Sequence, residues 1–144
     1  MIVSQILGLK ADPSVVTIAP QASIAEAVAL LAGRRIGALV VSADGRRAEG
    51  ILSERDIVRG LAGSGADCLL AQVDTLMTRR LLTCARGDAA VEVLTRMTEG
   101  RFRHMPVIEA GELVGLISIG DVVKARLDEL RAERDALESM IKGH

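Results

Sequence analysis

Apolar positions along the chain fall into two rhythms. Ile24, Val28 and Leu31, and later Val91, Leu94 and Met97, recur at three and four residues, the period of a helix with one buried face. Ser23 and Asp88 stand before these runs as N-cap types, and Gly33 and Gly100 stand where helices commonly stop. Short apolar runs flank each helix: Val15 to Ile18 and Leu81 to Cys84 ahead, IGALVVS with EGILS after the first, HMPVIE with LVGLIS after the second. Turns holding Asp44-Gly45 and Ala110-Gly111 join the paired runs, and a further helix is expected from near Ser53 and near Ser118. The order β-α-β-β-α is therefore expected twice, an α/β chain of the α+β type.

This doubling is visible residue by residue. Sliding the chain by 65 or 66 positions lays TIAPQASIAEAVALL on TCARGDAAVEVLTRM, RRIGALVV on GRFRHMPV, and GILSERD on GLISIGD. Between the copies, GLAGSGAD reads as a helix stop and linker, and LLAQVDTLM as a short apolar helix. The linker glycines are not a phosphate loop, because they follow a helix and no Lys-Ser or Lys-Thr comes after them.

Composition narrows the classes. The 144 residues are 49% hydrophobic and 26% charged, with no apolar run long enough to span a bilayer, which predicts a soluble globular protein. The N-terminus MIVSQILGLK has no basic leader or cleavage site, so the cytoplasm is the expected location. Cys68 and Cys84 have only His104 and His144 as companions, too few for a zinc cluster, and both read as small buried hydrophobes. A net charge of -1 gives no general attraction for polyanions, and a chain without Trp or Tyr, with Phe102 as its sole aromatic, is poorly equipped to stack nucleic-acid bases.

The repeated Ser-x-x-Asp has two readings. As a helix start, the Ser hydroxyl accepts from a first-turn amide while the acid three residues on closes a capping box. As a site, a helix N-terminus with a hydroxyl at its mouth suits a phosphate, and a carboxylate nearby suits the vicinal hydroxyls of a ribose. Its occurrence twice in the same frame favours the second.

From about Val15 to Lys124 the chain resembles a tandem pair of CBS domains, the Bateman module. GILSERDIV and GLISIGDVV resemble the family's ribose-phosphate motif, and FRHMPVIEAGELVGLIS its second and third strands. The resemblance implies two repeats, residues 1–66 and 67–124, packed about a pseudo-twofold axis, with a C-terminal helix over 125–144. It also implies two clefts that take AMP, ADP, ATP or another adenosine derivative. In one, Ser118 and Asp121 would work with the backbone around Lys10, Ala11 and Asp12, with Ile36 and Gly37, and with Arg103 and His104 toward phosphate. In the other, Ser53 and Asp56 would work with the backbone near Met77 and Thr78, with Phe102 beside the base and Arg55 for charge. The basic pair makes the Asp121 cleft the better equipped for a phosphorylated ligand. Taken singly, Arg101 and Arg103 also fit a solvated strand face, His104 a structural imidazole, and Lys10 a solubilising charge.

In the final helix Val123, Leu127, Leu130, Leu137 and Ile141 make a four-three stripe interrupted by Arg134, which suits either packing on the module or pairing with a second copy. No catalytic triad, metal cluster or reactive Cys-His arrangement is legible, so an enzyme is not expected. The expected role is an adenosine-nucleotide-binding regulator that acts by population shift, as a homodimer answering to an effector protein. An assembly protein with vestigial clefts and a nucleic-acid binder using Arg101 and Arg103 are the two alternatives.

Overall fold

A computed structural model describes residues 1–143. The elements are α1 (Val3–Leu9), β1 (Thr17–Ile18), α2 (Ile24–Arg34), β2 (Ala38–Val41), β3 (Gly50–Ser53), α3 (Glu54–Ser64), a 3-10 turn (Gly65–Leu70), α4 (Val73–Leu76), α5 (Ala90–Gly100), β4 (His104–Glu109), β5 (Glu112–Ser118) and α6 (Ile119–Ile141). The mixed α+β architecture with two repeats matches the expectation. In the first half β1 pairs parallel to β2 and β2 antiparallel to β3; in the second, β4 and β5 form an antiparallel hairpin. Ala110 and Gly111, at φ 51 and 79, turn that hairpin with two left-handed residues, which matches the twist of the strands.

Two apolar cores form, and each recruits the lead-in of the other half. Val3, Ile6 and Leu7 of α1 pack with Val93, Met97, Met105, Val107 and Ile117. Cys68, Val73 and Met77 pack with Ile24, Leu31, Leu39 and Leu52. Backbone bonds repeat the exchange: Val3 N donates to Asp88 O at 2.9 Å and Ala90 N to Met1 O at 3.0 Å, while Val73 N donates to Ala22 O at 2.8 Å and Ile24 N to Ala71 O at 2.9 Å. The two halves are thereby interlocked, because neither core closes without a segment from outside its own strand pair.

Several local expectations are corrected. The expected Leu81 to Cys84 strand reduces to a single bridge, Cys84 with Val107. In the first half Val40 N donates to Val16 O at 3.3 Å; the aligned residue in the second half is Pro106, which has no N–H to offer Leu82. The helix expected to be capped by Asp88 starts one residue later, with Ala89 at the cap and no side-chain bond, while the Asp88 carboxylate accepts from Ala85 N at 2.8 Å. Val28 and Val91, placed on buried faces by spacing, are 37% and 62% exposed; Ala27, Ala90 and Val93 are buried in their stead. Gly33 and Gly100 lie inside the helices, and the left-handed caps are Arg35 and Arg101, at φ 53 and 56. Ile36 N and Phe102 N then reach back to Leu31 O and Met97 O, each at 3.1 Å, closing both helix ends alike.

The GLAGSGAD stretch does stop a helix, with Gly65 at the cap, but it is helical on both sides of that cap and not an open linker. Helix α3 runs through Ser64, and a Cβ on Gly60 would lie 2.6 Å from Cys68 Sγ and 2.8 Å from Leu76 Cδ1, so that glycine lets the helix press onto the 3-10 turn and α4. The apolar helix read in LLAQVDTLM shrinks to Val73–Leu76. Cys68 and Cys84 are buried as expected, and burial pushes the Cys84 thiol up to about 11, which keeps it protonated and unreactive. The last helix is continuous from Ile119 to Ile141; its expected final residue, His144, lies outside the described residues.

Candidate ligand cavity at the two helix starts

Strands β3 and β5 each end in a serine that caps the helix after it. Ser53 Oγ accepts from Asp56 N at 3.4 Å, and Asp56 Oδ2 accepts from Ser53 N at 2.9 Å. The counterpart distances for Ser118 and Asp121 are 3.1 and 2.8 Å. Each is a capping box, so the structural reading of Ser-x-x-Asp holds in both halves. It does not exhaust the carboxylates, because in both the cap uses Oδ2. Among the described residues Asp56 Oδ1 has only a 3.4 Å bond from Thr78 Oγ1, and Ser53 Oγ–H adds 3.2 Å to Oδ2. Asp121 Oδ2 also meets Lys10 Nζ at 3.2 Å, and that ammonium donates to Leu116 O at 2.9 Å.

The two helix starts border one cavity. Glu54 N, the first amide of α3, donates to Gly37 O at 3.1 Å, and Ile119 N, the first of α6, donates to Arg103 O at 2.8 Å. The amides that follow, on Arg55 and Gly120, sit in the first turn, where intrahelical acceptors are lacking and the helix dipole is positive. His104 packs beside Gly37, its Cε1 3.5 Å from where a Cβ would sit, an ordinary contact. Burial holds the His104 imidazole below its ordinary value, against the pull of Asp121 and Glu54, while Lys10 and Arg103 add to the depression.

A cavity of about 860 Å³ opens in front of Ser53 and Asp56. Thr78, Phe102, Arg55, Gly37, Arg103, His104 and Ser118 line it, joined by three arginines and an acid that the sequence reading did not place in a cleft: Arg59, Arg80, Arg101 and Glu54. Phe102 can fold back there because residue 100 is glycine; a Cβ would fall 2.6 Å from the ring's Cδ1. A separate hollow of about 270 Å³ holds Lys10, Ala11, Asp12 and Asp121, with Lys124 and Asp128. Bonds from Ser14 Oγ and Ser14 N hold the Asp12 carboxyl below its ordinary value. Arg103 and His104, expected beside Asp121, thus face the cavity of Asp56. The strand that His104 begins abuts Gly37. Ser118 lines the large cavity and Asp121 the small hollow, so one motif faces both ways. Ile36 and Met77 line neither; both pack into the first core, Met77 lying 8% exposed beneath Gly50. Arg59 was legible as the residue one helical turn beyond Arg55; nothing in the local pattern marks Arg80.

Among the described residues no cluster of three His, Cys, Asp or Glu is placed to hold a metal, and no helix is long and apolar enough to cross a membrane. The CBS domain family matches twice, over residues 3–63 and 73–128. The chain is 33% identical over 140 residues to the mitochondrial CBS domain-containing protein CBSX3 of Arabidopsis thaliana, covering 94% of this chain and 68% of that one. A second Arabidopsis relative, CBSCBSPB1, is 28% identical over 88% of this chain, which spans only 24% of its length. Among solved structures, a CBS-domain containing protein from Agrobacterium tumefaciens is 46% identical with a TM-score of 0.83, covering 88% of this chain and 99% of that one. The CBS domain pair of protein MJ0100, solved in complex with 5-methylthioadenosine and S-adenosyl-L-methionine, has a TM-score of 0.78 at 22% identity, covering 90% and 98%. With a doubled fold, a doubled Ser-x-x-Asp and matches across both halves, the chain belongs to the CBS-domain family as a tandem pair.

Proposed function

We infer that the chain is a regulatory module that binds an adenosine nucleotide in the large cavity and signals by a shift in the arrangement of its repeats or protomers. The observation that carries this is the pairing of an 860 Å³ cavity, within the range of small-molecule sites, with an Asp56 carboxylate whose Oδ1 is left to a single long bond from Thr78. In this reading Asp56 accepts from the ribose hydroxyls, Ser53 and the start of α3 face the phosphate, and Phe102 flanks the base. The relative that carries methylthioadenosine and S-adenosylmethionine supports an adenosine ligand as the class. The preference drawn from sequence for the Asp121 cleft is reversed here. That hollow is about 270 Å³, below the usual range, and Lys10 already neutralises its acid.

Helix α6 supplies the surface for the response. Every described residue from Leu130 onward is exposed, including Leu137 at 60% and Ile141 at 85%. A solitary stretch of that length is marginal as a helix in water, so pairing with a second copy along the Leu127, Leu130, Leu137 and Ile141 stripe is the arrangement that holds it. Sedimentation should show a dimer, and Leu130→Glu with Leu137→Glu should give a monomer.

The direct test uses the absence of Trp and Tyr. Purified protein absorbs little at 280 nm, so a carried adenine dominates the near-ultraviolet spectrum. Mass spectrometry of what acid releases names the ligand, and calorimetric titration of stripped protein with adenosine nucleotides gives affinities. Absence of binding by every adenosine compound tried would leave the assembly role.

A further inference from the structure

We propose that the large cavity selects adenosine ligands carrying two or more phosphates over the monophosphate and over uncharged or cationic adenosyl compounds. This rests on the reading of the cavity as an adenosine site and specifies what that site requires of the rest of the ligand.

Arg55, Arg59, Arg80, Arg101 and Arg103 line the cavity, with Glu54 and Asp56 as the acids of its wall. Those residues alone carry a formal excess of three positive charges, in a chain whose net charge is -1. None of the five arginines has a carboxylate within 4.0 Å among the described residues, whereas Arg86, Arg126, Arg131 and Arg134 all do. Among the described residues, the hydrogen bond made by a side chain of the five is Arg55 Nη1 to Arg101 O at 3.3 Å, which brings one guanidinium against another residue of the set without neutralising either. Like charges gathered on one concave wall repel, and that repulsion is relieved by an anion held among them.

The other half shows that this is not a by-product of duplication. At the aligned positions the counterparts of Arg55, Arg59, Arg80, Arg101 and Arg103 are Gly120, Lys124, Ser14, Arg35 and Gly37. Of those, Lys124 lines the small hollow, where Asp121 and Asp128 face it, and Lys10 is paired with Asp121. The excess of cations is confined to the large cavity.

The chemistry follows from counting. A monophosphate brings roughly two negative charges and three acceptor oxygens, which two guanidinium forks can satisfy. Five arginines suit a phosphate chain, which adds oxygens and charge with each unit. The cavity's volume leaves room for that extension beyond a nucleoside monophosphate. A sulfonium ligand would add positive charge to a positive wall and is disfavoured by the same field.

The test is calorimetric titration of stripped protein, without divalent metal, at two salt concentrations, with adenosine, AMP, ADP, ATP, S-adenosylmethionine and inorganic tripolyphosphate. ATP and ADP should bind at least about tenfold more tightly than AMP, with S-adenosylmethionine weaker than AMP, and ATP should lose affinity with salt more steeply than AMP. Arg80→Gln with Arg101→Gln should bring the ATP-to-AMP ratio down toward one, while a circular dichroism melt checks that the variant folds. The salt comparison on the unaltered protein stands if it does not. AMP binding as tightly as ATP overturns the phosphate-chain proposal and leaves the adenosine reading intact. Tripolyphosphate binding as tightly as ATP supports the arginine wall and overturns the adenosine reading. Failure of every compound to bind overturns both.

Discussion

Asp56 and Asp121 hold the amide of the serine three residues before them at 2.9 and 2.8 Å, yet they face different surroundings. Asp56 is buried at the edge of a large cavity ringed by arginines, with Thr78 as its cross-chain neighbour. Asp121 is tied to Lys10 in a hollow less than a third of that size. One motif has therefore kept its structural duty in both halves while the room for a ligand differs. A capping box and a ribose grip are compatible because a carboxylate has two oxygens, and the cap needs only one.

The largest effect expected from this difference is on ligand affinity. Asp56→Asn should weaken adenosine-nucleotide binding by roughly 5- to 150-fold, the equivalent of a stranded hydrogen-bonding group at about 1–3 kcal/mol, while Asp121→Asn should change it far less. Titrating AMP against 2'-deoxy-AMP gives the same comparison from the ligand side. Equal losses in the two variants would erase the functional distinction between the halves.

A second contrast concerns how each lead-in is seated. Gly50 and Gly115 are aligned glycines, and a Cβ on either collides with the segment laid across it. On Gly50 it would lie 2.9 Å from Thr78 O and 2.7 Å from Met77 Sδ; on Gly115 it would meet the Leu7 side chain at 2.8 Å. A backbone carbonyl paired to Ile51 cannot swing aside as a leucine can, since Ile51 N and Thr78 O are bonded at 3.0 Å. Gly50→Ala should cost about 1–3 kcal/mol of stability, and Gly115→Ala less, in urea unfolding. Gly50→Ala should also weaken nucleotide binding, because it moves Thr78 away from Asp56. The reverse ranking would mean that the first half is the softer one.

Smaller still is the effect of the serines on folding, and here the halves should agree. Ser53→Ala and Ser118→Ala each remove an N-cap and should cost about 0.5–2 kcal/mol. Melting temperatures of the ligand-free variants should fall together. Added nucleotide should then stabilise Ser118→Ala more than Ser53→Ala, because both serines line the cavity but only Ser53 stands at the helix start assigned to the phosphate.

Much of this arrangement was legible because it is local. The hairpins, the caps at Ser23, Ser53 and Ser118 and the doubled frame each follow from residues within one or two turns of each other. The buried faces of α2 and α5 were read one position off, since Ala27 and Ala90 bury without announcing themselves and Val28 and Val91 announce a burial they do not have. Gly60 was taken for a linker residue because its reason, the closeness of Cys68 and Leu76, arises only when α3 and α4 meet. The cavity lay furthest from view. Arg59 shares a face with Arg55, but Arg80, Arg101 and Arg103 join them only after the lead-in of the second half crosses onto β3 and the start of β4 abuts Gly37.

The mildest contrast is in response to pH, and it belongs to one half alone, since the residue aligned with His104 is Ala38. Burial lowers the His104 pKa in the folded protein; Asp121 and Glu54 oppose this, and Lys10 and Arg103 reinforce it. The folded state therefore binds a proton less readily than the unfolded chain. The stability this contributes is present above the unfolded value, near 6.5, and is lost as pH falls below it toward the folded value. Melting temperature of the ligand-free protein should decline from pH 7 to pH 5.5, and His104→Asn should show a shallower decline over the same window. A bound phosphate chain would favour the charged imidazole, so nucleotide binding near pH 6 should take up a proton. Binding enthalpies measured in buffers of different ionisation enthalpy would then differ for the native protein and converge for His104→Asn. Parallel melting profiles and buffer-independent enthalpies would show that the imidazole is neither held neutral by the fold nor within reach of the ligand.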